Sequence, residues 1–147
     1  MSDYNEELSR LHQRVVQIVL QIPATIDDMG WILFNDSGLG DMIINLREYN
    51  PEFMKLHAVV FGDYKNTRVR EDLLRACNIA NNELDNSQDL ARLTLAENYN
   101  VVRASVALVV SEPGVMPDEA FLRTVIVRAM SSIKAAAKEF ADALQTQ

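Results

Sequence analysis

The stretch VVRASVALVVSEPGVMPDEAFLRTVIVRAMSSIKAAAKEFADALQ, residues 101–145, changes its hydrophobic period once, and that change decides the fold class. Val102, Ala104, Val106, Leu108 and Val110 alternate with the residues between them, the two-residue period of a strand that buries one face. Pro113-Gly114 breaks the strand. Pro117 suits the first turn of a helix, and Asp118 and Glu119 complement the positive end of its dipole. Leu122, Val125, Ala129, Ile133, Ala136, Phe140 and Leu144 then run down one helical face for roughly seven turns at 3.6 residues per turn. The small residues Ala135, Ala136 and Ala137 allow this helix to approach a sheet closely.

Upstream, the same switching repeats. Ala91, Leu93 and Leu95 alternate with Arg92, Thr94 and Ala96, and Asn98-Tyr99-Asn100 turns this strand into the next. Before it, Leu73, Cys77, Ala80 and Leu84 give a second helix its stripe, with Leu74 beside them. Asn66 or Thr67 can cap that helix, and Asp85-Asn86-Ser87-Gln88 reads as the loop that follows it. Three strands come earlier. Trp31 to Phe34 is apolar and bounded by Gly30 and Asn35-Asp36-Ser37-Gly38. Asp41 to Glu48 puts Met42, Ile44 and Leu46 on one face, with Asn45 and Arg47 on the other. After Asn50-Pro51, the core set Met54, Leu56, Ala58 and Val60 alternates with Phe53, Lys55, His57, Val59 and Phe61. The chain opens on a helix from about Tyr4 to Gln21 with the stripe Leu8, Leu11, Val15, Ile18 and Ile22. It is nearly apolar all round in its last two turns, and Pro23 ends it.

The order is therefore α-βββ-α-ββ-α. Strands joined by short turns pair antiparallel, and a sheet with one apolar face must be covered by helices. The expected architecture is an α+β two-layer sandwich with an antiparallel sheet of about five strands, forming a single domain over residues 1–147. A chain of 147 residues with 48% hydrophobic content can bury such a core.

Charge limits the partners. The net charge of −7 argues against a nucleic-acid or anionic-membrane surface, which needs clustered Lys and Arg. The densest basic stretch, Lys65, Arg68 and Arg70, is flanked by Asp63, Glu71 and Asp72. Cys77 is the only cysteine, so no internal disulfide can form. The first twenty residues carry Asp3, Glu6 and Glu7 where a signal peptide would place basic ones, and no apolar run approaches the ~20 residues of a membrane span. A cytoplasmic location is expected, and Asn35-Asp36-Ser37 then reads as turn chemistry.

No catalytic, cofactor-binding or metal-ligating constellation emerges. Ser37-Gly38-Leu39-Gly40 lacks the Lys-Ser/Thr of a phosphate loop and precedes a strand, so it predicts a hairpin turn. His12 and His57 lie far apart in sequence without ligands at metal spacing, and each is expected at the surface or half-buried. Cys77, on a helical stripe with no adjacent base, is expected in the core. Asp27-Asp28 lies in a connection and Asp118-Glu119 at a helix start, where turn and dipole roles account for both. The polar cluster Asn78, Asn81 and Asn82 stands out, because asparagine is a mediocre helix former and three fall in the last turns of the second helix. Asn81, near the buried edge, could bond the backbone of the segment that follows. Apolar residues that the core does not obviously absorb are candidates for a protein interface: Val16, Leu20, Phe53, Val59 and Phe61.

The element order resembles the type III secretion chaperone-like fold, including the YbjN-like proteins. The YbjN-like resemblance lies in Asn78-Ile79-Ala80-Asn81, the two alternating strands after it, and the Pro-Asp-Glu start of the last helix. It covers the chain from about Trp31 onward, and the loop Asp85 to Gln88 is longer than the family's passage into its strand. The resemblance implies a small, non-enzymatic, often dimeric protein. The expectation is a protein-binding module, chaperone-like or a regulatory adaptor, acting as a homodimer on an unidentified protein partner. The alternative is a small-molecule sensor or enzyme with a pocket between the sheet and the C-terminal helix, furnished by the asparagine cluster.

Overall fold

The computed structural model describes residues 2–21, 23–28, 30–47, 50–62, 70–97 and 99–145. Their elements run α1 (Ser2–Leu20), β1 (Ala24–Ile26), β2 (Ile32–Asp36), β3 (Gly40–Arg47), β4 (Asn50–Gly62), α2 (Arg70–Asn86), β5 (Arg92–Leu95), β6 (Val101–Val109) and α3 (Glu119–Gln145). The fold is α+β, with an open antiparallel sheet in the order β1-β2-β3-β4-β6-β5. Among the described residues it has six strands rather than about five. The addition is β1, three residues that directly follow Pro23 and are too short to carry a visible alternation. By contact the chain divides into two compact units, Met1–Leu56 with Ala107–Arg128, and His57–Val106 with Ala129–Gln147.

In the first unit, Ile32 and Phe34 of β2, Met42, Ile44 and Leu46 of β3, and Met54 and Leu56 of β4 are buried. The β2–β3 hairpin closes at Asp36↔Gly40. Asp36 Oδ2 accepts from the Gly38 and Leu39 amides at 2.9 and 3.0 Å, and Gly40 takes a left-handed φ of 82°. The glycine-rich segment is thus a turn stapled by its own aspartate.

Helix α1 packs on β3, but along a face rotated from the expected stripe. Leu8, Ser9, His12, Val16 and Val19 are buried, while Leu11 and Ile18 are 46% and 52% exposed. Ile22 lies outside the described residues. Two apolar rows compete on this helix, and polar contacts mark the inward side. Gln13 Nε2 donates to the Gly30 carbonyl at 2.8 Å, and Gln17 Nε2 to that of Ala24 at 2.9 Å. His12 is consequently fully buried, not at the surface or half-buried.

In the second unit, α2 packs on β5 through Leu73, Ala76, Cys77, Ala80 and Leu84. The helix runs through Asn86, so the expected loop begins two residues late. Ser87 N–H donates to Glu83 and Asp89 N–H to Leu84, with Gln88 at φ 60° between them, which satisfies carbonyls at the helix end. The proposed caps Asn66 and Thr67 lie outside the described residues, as do Lys65 and Arg68. Arg70 instead reaches the Ala96 and Tyr99 carbonyls.

Asp118 caps α3: its Oδ2 accepts from the Phe121 amide at 3.0 Å, which puts Pro117 just before the cap instead of inside the first turn. The buried line of α3 is Leu122 and Ile126 in the first unit, then Ala129, Ile133, Ala136, Phe140 and Ala143 in the second. Val125 and Leu144, expected on the stripe, flank it half-buried.

Candidate protein-binding face

Strand geometry gives every buried residue of the sheet a neighbour aimed the other way. In the first unit those neighbours include several large apolar residues among polar ones. Leu33 and Ile43 stand directly opposite each other across β2 and β3. Asn45 follows on β3, Phe53 and Lys55 on β4, and Ala107 and Val109 on β6. Phe53 is 39% and Val109 63% exposed. Asn45, Phe53, Lys55, Ala107, Leu108 and Val109 line an open depression of about 410 Å³, and Leu33, Asp41 and Ile43 help line another of about 390 Å³. The backbone beneath is held by the β2–β3 ladder and by Val110 N–H donating to the Glu52 carbonyl at 2.7 Å. The same side of the sheet in the second unit differs: Thr94 stands opposite Arg103, and Arg92 opposite Ser105.

The interface candidates scatter. Val16 is fully buried in the core side of α1 and has no area to offer a partner. Leu20 is half-buried at the end of that helix. Phe53 is on the open face, and so is Val59, 45% exposed, in the second unit's part of β4. Phe61, half-buried at the strand's end, stacks on Phe140 at 6.1 Å between ring centroids and a 57° tilt. Leu33, Ile43 and Val109 belong to the face without being among the residues the sequence singles out. Their signal was present: Ile43 and Val109 are apolar residues at the outward positions of alternating strands.

Asn81 has a structural task. Its Nδ2 donates to the Leu93 carbonyl at 2.9 Å and its Oδ1 accepts from the Leu93 amide at 2.8 Å, fixing β5 against α2. Asn78 and Asn82 are exposed. Both groups of the Asn81 amide are engaged, which removes the convergent polar group that a ligand pocket required. Cys77 is buried, and desolvation pushes its thiol up to about 11, away from the thiolate a nucleophile needs. Among the described residues, no group of three or more His, Cys, Asp or Glu could hold a metal, and no helix is long and apolar enough to cross a membrane.

No protein-family model and no curated protein matches the chain significantly. Solved structures share its fold. A chain of the HopA1–SchA chaperone–effector complex aligns with a TM-score of 0.54 at 16% identity, over 91% of this chain and 95% of that one. A chain of the ExsC–ExsE complex aligns with a TM-score of 0.52 at 11% identity, over 84% and 87%. The chain shares its fold with a chain of each of these two complexes. At these identities the likeness is one of backbone path, and the chemistry of the face must be argued from this chain's own residues.

Proposed function

We propose that this chain is a non-enzymatic, chaperone-like protein-binding module, a single domain that acts in the cytoplasm as a homodimer. In this reading the open sheet face of Leu33, Ile43, Phe53 and Val109 holds an apolar segment of another polypeptide. The observation that carries it is this apolar row across β2, β3, β4 and β6 in a chain of net charge −7. Exposed apolar surface marks binding sites in soluble proteins where it is contiguous. The fold shared with a chaperone–effector complex supports the same reading. Leu20, Val59 and Phe61 are candidate contacts each in its own place, the last two in the second unit. The finer affinity with YbjN-like proteins rests on the Asn78–Asn81 pattern, whose second member fixes β5.

Capture from the source cell with the wild-type chain and with Phe53→Glu/Val109→Glu tests the binding face. A protein retained by the first and lost by the second supports the proposal. An identical set from both refutes the assignment of the face. Sedimentation at micromolar concentration decides the homodimer separately.

A further inference from the structure

The depression lined by Phe53 and Val109, in the first unit, offers more than apolar surface. Its volume is about 410 Å³, and Lys55 is the only charged residue among the described residues that line it. The chain around it is acidic, with Asp and Glu outnumbering Lys and Arg by 21 to 14. Lys55 is exposed and, among the described residues, forms no ion pair. Asp41, the acid of the neighbouring depression, is already engaged, because its Oδ1 accepts from Asn35 Nδ2 at 3.1 Å. Lysine on a strand often blunts a sheet edge, but β4 lies between β3 and β6, so Lys55 guards none.

Phe53 and Lys55 are two residues apart on β4, so their side chains leave the same face about 6.6 Å apart. An extended polypeptide has the same repeat, with its residues i and i+2 projecting to one side at that spacing. A segment lying along β4 can therefore set an apolar side chain against Phe53 and Val109 and a carboxylate on Lys55 Nζ. Asn45, half-buried in the same lining, carries an amide that both donates and accepts, as a peptide group requires. The acidity of the whole chain does not forbid this pairing. Charges more than about 8 Å away are largely screened at physiological ionic strength, so an ammonium in contact outweighs acids elsewhere on the surface.

We infer that the segment held on this face carries a carboxylate side chain two residues from an apolar one, in the pattern apolar-x-Asp/Glu. The inference rests on the binding role proposed above and adds the partner's chemistry. Phe53 and Val109 take the apolar side chain, Lys55 pairs with the acid, and Asn45 meets the backbone.

Three capped peptides test it by titration into the full-length ¹⁵N-labelled chain. They are Ac-GSLTETLSG-NH₂, its amide twin Ac-GSLTQTLSG-NH₂, and Ac-GSLETTLSG-NH₂, in which the acid moves one position and projects to the opposite side of the strand. Saturable amide shifts are expected at Phe53, Lys55 and Val109. The first peptide should bind about fivefold more tightly than the other two, the upper end for one exposed ion pair. Lys55→Met, which keeps the apolar stem, is expected to bind all three alike, and Lys55→Glu to disfavour the first. Equal affinity of the wild-type chain for all three, lost together in Phe53→Glu/Val109→Glu, overturns this inference and leaves the apolar face standing. A preference that survives in Lys55→Met overturns the role of Lys55. Saturable binding of none of them overturns the inference and the binding face together.

Discussion

The two faces of the sheet are built from alternate residues of the same strands, yet they answer to different constraints. Met42 and Leu56 on the covered face are essentially inaccessible to solvent, whereas Phe53 on the open face is 39% exposed. Both faces of the first unit carry large apolar residues, though the open one interleaves them with Asp41, Asn45 and Lys55. What distinguishes them is what lies on top. A buried methylene has neighbours that cannot relax fully when it is removed, and an exposed one has only water to lose. The covered face should therefore control folding and the open face association.

The harshest test removes everything after Ser132. That deletes Ile133, Ala136, Phe140 and Ala143, all buried. Burial of each large side chain is worth about 1.5–3 kcal/mol, against about 5–15 kcal/mol for a whole domain. The truncated chain is expected to show no cooperative transition in a circular-dichroism melt. An unchanged midpoint would falsify the assignment of the last helix to the core. On a smaller scale, Leu56→Ala should cost about 2–5 kcal/mol in urea unfolding. A cost below that of Phe53→Ala would erase the distinction between the faces.

Asn81→Ala tests a polar contact on the second unit's side of the comparison. It strips the Leu93 amide and carbonyl of their partner, with an expected loss of about 1–3 kcal/mol. Hydrogen exchange at Leu93 should accelerate more than at Ala104, and equal acceleration would argue against a local role.

Cys77 gives a weaker, pH-dependent signal. Its thiol is held at about 11 in the folded state, above the ordinary value of ~8.5 in an unfolded chain. The folded state thus retains this proton more tightly. That contribution to stability is complete below the unfolded value and fades as pH rises from there through about 11. Ellman's reagent should react slowly at pH 8 until denaturant unfolds the chain, and rapid reaction of the native protein would contradict the buried thiol.

The smallest stability effect belongs to the open face. Phe53→Glu/Val109→Glu should alter unfolding free energy by no more than about 0.5 kcal/mol per site while abolishing retention of a partner. A large loss of stability with binding intact would reverse the assignment of the two faces.

Period decided most of the fold. Alternation in β3, β4 and β6, and the long line of α3, could be read directly because each presents one dominant apolar row to the core. Helix α1 could not be read that way. It carries two rows, and the correct one is marked by Gln13 and Gln17, whose partners Gly30 and Ala24 are distant in sequence. β1 was invisible because three residues cannot show a period. The open face is half legible: Phe53 and Val59 stand out on β4 as large apolar residues on its mixed side, whereas Ile43 and Val109 continue apolar runs in which the outward position carries no contrast.

The amide of Asn81 has a further consequence at the margin of the sheet. β5 is the last strand in its order, and paired residues in an antiparallel ladder exchange an N–H and a C=O with the residue opposite. Leu93 makes that same reciprocal exchange, but with a side chain of α2. Asn81 therefore imitates one residue of a seventh strand. At the opposite margin, the carbonyl of Ala24 in β1 receives the amide of Gln17. Unpaired strand edges invite other chains to add on, and short edge strands with occupied backbone groups resist it. Helices α1 and α2 thus lend the sheet counterfeit neighbours at its margins, which discourages stacking into fibres.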